Sequence, residues 1–166
     1  MSKYYFKENF HFLYADGQLY DERENIVYDY QNETLMFPKI SLYRHGQYLG
    51  HVQKNVSFML SSFDIYVDGI LVDTLQQNFA LFRNSLYLKQ RNWRVEGSFA
   101  SLHFQIFNDH DELVAEIDKE LFRMTQRYFI EIYDEPREIF IILMILAVNQ
   151  LVKDNDSAAA SVSINV

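Results

Sequence analysis

From Gln18 to Tyr133 apolar and polar side chains alternate in short runs, each closed by a turn signal, which is the pattern of strands with one buried face. The runs predict strands over Gly17 to Glu22, Ile26 to Gln31, Ile40 to Arg44, Tyr48 to Lys54, Phe63 to Val67 and Ile70 to Gln76. The second half predicts Ser85 to Gln90, Asn92 to Gly97, Leu102 to Phe107, Leu113 to Asp118 and Arg127 to Tyr133, and a short strand at Tyr4 to Phe6 makes twelve. Phe63, Ile65 and Val67 share one face with Asp64 and Tyr66 opposite, and Leu102, Phe104 and Ile106 oppose His103 and Gln105. Asp68-Gly69 between two such runs is a two-residue hairpin signal, because both central positions of a type I′ turn need positive φ. His45-Gly46 occupies the equivalent place one hairpin earlier.

That equivalence extends into an internal repeat. The twenty or so residues from Ser41 align without gaps on those from Asp64. A third copy from Phe104 fits with one extra residue in its turn, so that Tyr48, Leu71 and Leu113 correspond, as do Val52, Leu75 and Ile117. Repeated hairpins that each bury one face against their neighbours predict a closed antiparallel barrel, which also removes exposed sheet edges.

After Tyr133 the pattern changes. Asp134-Glu135-Pro136 opens a continuous apolar run from Ile139 to Val152, with Lys153 behind it, and these are helix start and stop signals. The run has no polar face, so it must be enclosed by protein or lipid. It is shorter than the ~20 residues a bilayer needs and contains Asn149 and Gln150, which predicts a core helix and no integral membrane span. Insertion of this helix into a membrane is the competing reading. One domain is expected over residues 1–153, followed by a small, polar, disordered tail over 154–166.

A length of 166 residues suits one domain, and 12 Tyr with 14 Phe strengthen the β reading. The chain has no Cys, which removes thiol chemistry and fits a reducing compartment. Its first residues lack the apolar core of a signal peptide, and a cytoplasmic location is expected. Asn32-Glu33-Thr34 and Asn55-Val56-Ser57 are therefore turn chemistry and not glycosylation sites. A formal charge of -8 opposes non-specific attraction to nucleic acid or an anionic bilayer, and no nucleic-acid partner is expected.

Glycine occurs only at positions 17, 46, 50, 69 and 97, so GxGxxG and Walker loops are absent and no nucleotide cofactor is implied. The histidines, His11, His45, His51, His103 and His110, form no metal-ligand spacing. Asp109-His110-Asp111-Glu112 gathers carboxylates and an imidazole that could hold a cation or relay protons, but a solvated turn explains it more simply. Asp73 is odder, because the repeat places it at the inward position held by Gly50 and Ala115, where an unpaired carboxylate is costly. A salt bridge, a rim position and a catalytic acid are its three readings. The stretch from Thr74 to Val95 carries Arg83, Lys89, Arg91 and Arg94 without an acidic residue, with Tyr87 and Trp93 beside them. Basic groups among aromatic ones suit a phosphate or lipid headgroup; a solvated strand face is the bland alternative.

The repeated hairpins, the Lys54-Asn55-Val56-Ser57-Phe58-Met59-Leu60 and Gln77-Asn78-Phe79-Ala80-Leu81-Phe82-Arg83 segments after them, and the final acidic-Pro-apolar helix together resemble the LURP-one-related and Tubby C-terminal-like family, from about Tyr4 to Val152. The resemblance implies a mainly β fold, a twelve-stranded antiparallel closed barrel around one buried C-terminal hydrophobic helix. It also implies phosphoinositide or phospholipid contact and membrane tethering, as in the more distantly similar phospholipid scramblases, although no lipid-ligand residue of the family maps onto this chain. The expected function is a non-enzymatic binding or scaffold module, peripheral at a membrane through a phospholipid headgroup or tied to a protein partner. The alternatives are a small-molecule enzyme using a pocket near Asp73 or His110, and a membrane-tethered protein.

Overall fold

A computed structural model describes residues 1–6, 16–33, 37–57, 60–78, 85–98, 103–122 and 125–162. Its strands are β1 (Ser2–Phe6), β2 (Gly17–Tyr20), β3 (Ile26–Asn32), β4 (Lys39–Arg44), β5 (Gln47–Ser57) and β6 (Leu60–Val67). They continue with β7 (Ile70–Asn78), β8 (Ser85–Leu88), β9 (Arg94–Ser98), β10 (His103–Phe107), β11 (Leu113–Phe122) and β12 (Thr125–Ile132). A 3-10 turn (Glu135–Arg137) leads into α1 (Glu138–Val162). Each strand pairs with the next in sequence, and β1 pairs with β12, so the expected barrel closes with twelve antiparallel strands.

Inward side chains of the wall meet the helix. Leu19, Ile40, Val52, Phe63, Leu75, Ile117 and Ile130 are at 0% exposure, as is every residue of α1 from Ile141 to Val148. An apolar face all round is stable here because strands surround it, so the apolar segment has no free side to offer a bilayer. No helix among the described residues is long and apolar enough to cross a membrane. The wall must also leave room: a Cβ on Gly50 of β5 would lie 2.8 Å from Leu143 Cδ1 and 2.3 Å from the Tyr66 carbonyl oxygen. Glycine is required there by close approach of helix to sheet.

The helix continues to Val162, into the segment read from the sequence as a tail. Ala158-Ala159-Ala160 carries the highest helix propensity of any residue type, so an already nucleated helix propagates through it despite the polar residues before it. Residues 163–166 lie outside the described ones.

The up-and-down order sets two ends. The turns after β2, β4, β6, β8 and β10, and the passage from β12 into α1, share one rim, here called the mouth. Two of those turns are the predicted ones: φ is 52° at His45 and 78° at Gly46, and 50° at Asp68 and 79° at Gly69. Bulges at Leu42/Tyr43, Ile65/Tyr66 and Ile106/Phe107 fall at the same repeat position in all three recognised copies. A fourth at Leu19/Tyr20 shows that β2 and β3 are a further copy the sequence did not reveal. Each bulge adds local twist, which bends a flat hairpin into a barrel wall.

The hairpin of β8 and β9 departs from this rule. No bulge occurs in it, and its turn takes in Lys89 to Trp93, so β9 begins at Arg94 and not at the expected Asn92. The cause is a carboxylate from the neighbouring hairpin.

Candidate functional site

Asp73 on β7 points inward at 0% exposure, as the repeat predicted. One oxygen accepts the backbone N–H of Thr74 (2.8 Å) and of Gln90 (2.9 Å); the other accepts the Arg91 N–H (3.2 Å) and its guanidinium (3.3 Å). Arg91 also donates to the Val72 carbonyl oxygen (2.7 Å) and lies over the Phe140 ring at 4.5 Å. Of the three readings of Asp73, this geometry is the salt bridge, extended to the turn backbone. Where β2–β3 and β10–β11 hold their own turns through Asp21 and Asn108, the β8–β9 turn is held from outside itself.

A second carboxylate stands where the helix enters. Glu138, in the first turn of α1, accepts the hydroxyls of Tyr4 (2.8 Å) and Tyr28. Tyr28 occupies on β3 the inward level that Gly50 and Asp73 occupy on β5 and β7. Burial, and then the Glu138 acceptor, push the Tyr4 hydroxyl up to about 12 and raise that of Tyr28 further from its ordinary value. Both phenols therefore stay protonated donors that tie the helix start to β1 and β3.

Around this point the mouth is concave. A cavity of ≈ 430 Å³ is lined by Tyr28, Arg44, Val67, Val72, Arg91, Arg137 and Phe140 together with Glu135 and Glu138. Arg44 comes from the β4–β5 turn, its guanidinium 5.1 Å from the Tyr28 ring centre, and makes no ion pair among the described residues. Arg137 pairs with Asp134 and lies 5.9 Å over the Trp93 ring, which itself packs edge-on against Phe140. Glu135 pairs with the Met1 amino group, so both lining carboxylates have acceptors in use. On the hairpin beside Arg44, Ile70 (68%) and Leu71 (46%) stand exposed.

Of the four basic residues singled out from the sequence, the three described ones do not form one patch. Lys89 is exposed in the β8–β9 turn beside Arg91, which lines the mouth cavity. Arg94 is taken into ion pairs with Glu96 (2.6 Å) and Asp111 on the outer wall, over the Phe107 ring. Arg83 lies outside the described residues. Tyr87 stands apart from Lys89 and Arg91: Arg91 belongs to the turn, and Tyr87 donates to Gln76 on the outer wall (3.1 Å). The Asp109 to Glu112 segment is an exposed turn closed by Asn108, and its His110 side chain is 76% exposed. No group of three or more His, Asp or Glu side chains able to hold a metal ion lies among the described residues.

Arg44, Arg137 and Glu138 escaped sequence reasoning. The signal that could have found them is the fourth repeat copy, which sets Tyr28 level with Asp73 and so marks a polar tier inside the mouth.

A family model described as LURP-one-related matches residues 2–149. None of the curated proteins matches the chain. The fold is similar to an X-ray structure of a protein from Arabidopsis thaliana, with a TM-score of 0.56 at 12% identity over 89% of this chain and 91% of that one.

Proposed function

The chain belongs to the LURP-one-related family, within the Tubby-like superfamily, and from that premise we propose that it is a non-enzymatic module that takes an anionic phospholipid headgroup at the mouth of its barrel. The observation that carries this reading is the mouth cavity, where Arg44, Arg91 and Arg137 converge beside the exposed Ile70 and Leu71. Guanidinium forks suit phosphate oxygens, and apolar side chains on a hairpin tip suit the acyl boundary just beneath a headgroup. Each cation near an anionic leaflet contributes about 1 kcal/mol, enough together for reversible, peripheral attachment at a cytoplasmic face.

An enzyme has less support. The helix fills the barrel interior, both Asp73 oxygens are engaged by the β8–β9 turn, and His110 stands on an exposed turn. A protein partner is the reading that remains if lipid fails.

Flotation with vesicles of phosphatidylcholine alone, and with added phosphatidylserine and phosphatidylinositol phosphate, tests the proposal. Wild type is expected to float only with the anionic vesicles, and Arg44→Glu with Lys89→Glu to abolish that while leaving the melting temperature unchanged. Absence of wild-type flotation with any anionic vesicle, or flotation indifferent to both substitutions, overturns it.

A further inference from the structure

On the outer wall, away from the mouth cavity, lies a trough of ≈ 550 Å³ between β1, β12, β11 and the β2–β3 turn. Glu22, Glu24, Glu116, Asp118 and Glu131 line it, against Lys3 and Arg127 as the lining cations. Its volume is that of a small-ligand site. The strand register sets Glu116 directly across from Glu131, a like-charge pair that sheets ordinarily avoid. Lys3 reaches Glu131 (2.7 Å), which relieves one carboxylate of that pair.

The floor is aromatic. Tyr5 points to the outside of the barrel between Tyr4 and Phe6, both buried within, yet it is only 3% exposed. Its ring stacks on Tyr20 at 5.6 Å and leans on Phe129, which also lines the trough. Its hydroxyl is buried without a hydrogen-bond partner among the described residues, in the field of Glu24 and Arg127. A buried phenol hydroxyl left unpaired is uncommon in folded proteins and calls for a partner, which a donor to its oxygen can be. The chain already shows which donor suits the place: the Arg127 guanidinium lies 5.1 Å over the Tyr5 ring and 3.5 Å from a Glu24 oxygen. An aromatic face with a carboxylate beside it is how proteins hold organic cations.

We propose that this trough binds an organic cation, an ammonium or guanidinium on an aliphatic stem, seated over Tyr5 and Phe129 and neutralised by Glu22, Glu24 and Asp118. The cation shares or takes over the position of the Arg127 guanidinium, and its N–H groups supply the donor that the Tyr5 hydroxyl lacks. The aliphatic stem lies along the Phe129 ring. Inorganic cations gain nothing from the aromatic floor and bind more weakly.

Isothermal titration calorimetry with agmatine, with spermidine and with a capped Gly-Arg-Gly peptide tests this on the whole chain and separates a free amine from a basic side chain of a peptide. Saturable binding is expected for at least one of them and not for glutarate. Glu24→Gln with Asp118→Asn is expected to weaken that binding about tenfold or more, as loss of charge-assisted contacts does. Tyr5→Phe is expected to weaken it by a smaller factor. Arg127→Gln removes the internal competitor and is expected to tighten binding, an outcome a merely damaged fold cannot produce. No saturable binding of any of the three cations, equal affinities in wild type and the double variant, or weaker binding in Arg127→Gln each overturns the proposal.

Discussion

The mouth of the barrel is divided into two arcs of opposite character. One runs through the β4–β5, β6–β7 and β8–β9 turns and carries Arg44, Lys89 and Arg91 with the exposed Ile70 and Leu71 against the single carboxylate of Asp68. The other runs through the β10–β11 turn, the start of α1 and the β2–β3 turn, and carries Asp109, Asp111, Glu112, Asp134, Glu135, Asp21, Glu22 and Glu24 against Arg23 and Arg137, the latter reaching across into the mouth cavity. A protein of formal charge -8 thus presents one basic, apolar sector, because eight of its acidic residues lie on the opposite side of the same rim. Net charge alone argues against anionic partners, whereas the arrangement of charge leaves one direction of approach open. The arcs also differ in support. Turns on the acidic arc are held by their own Asp21 and Asn108, while the β8–β9 turn of the basic arc is fastened by Asp73 from inside the barrel.

Breaking the support that both arcs share has the largest effect. Leu146→Asp places a carboxylate at a position of 0% exposure in the helix and is expected to abolish folding, read as loss of any cooperative urea transition. Next comes the arc-specific test. Asp73→Ala leaves the Gln90 and Arg91 N–H groups and a guanidinium without their acceptor, and is expected to lower stability by about 3 kcal/mol and to speed amide exchange at Gln90 and Arg91. Asp21→Ala on the acidic arc is expected to have a much smaller effect, confined to its own turn. If the two substitutions destabilise equally, the difference in support is not real.

Alkaline titration probes the point where the arcs meet the helix. The Tyr4 hydroxyl is held up to about 12 in the folded chain against an ordinary value near 10, so the folded state keeps a proton that the unfolded state releases. Its contribution to stability is full below pH 10 and falls as pH rises from 10 to 12, with Tyr28 acting in the same direction. Glu138→Gln is expected to make that fall shallower without removing it, since burial is the larger cause for both hydroxyls; tyrosinate absorbance followed against unfolding measures it. The smallest effect belongs to Arg94→Ala. Its ion pairs lie on the outer wall, and stability is expected to change by less than about 1 kcal/mol.

The strands were legible because each carries its own period, from Phe63, Ile65 and Val67 on β6 to Phe104 and Ile106 on β10. The inward placement of Asp73 was legible too, because register within a repeat decides which face a residue takes. What Asp73 does was not, since its partners Gln90 and Arg91 belong to the next hairpin and nothing local links them. The same limit dissolved the basic patch: Arg91 and Arg94 are near in sequence, but one turns into the mouth and the other lies along the wall. Arg44 and Arg137 meet Arg91 at the mouth although long stretches of chain separate them.

By itself the sequence determined the twelve strands, the closed barrel and the enclosed helix, because alternation, turn chemistry and an apolar run without a polar face are local patterns that burial makes unambiguous. Only the tertiary structure decided which charges share a rim, which carboxylate fastens which turn, and where the outer wall is left hollow. Those outcomes depend on how strands distant in the chain are brought side by side when the barrel closes, and no local period records that.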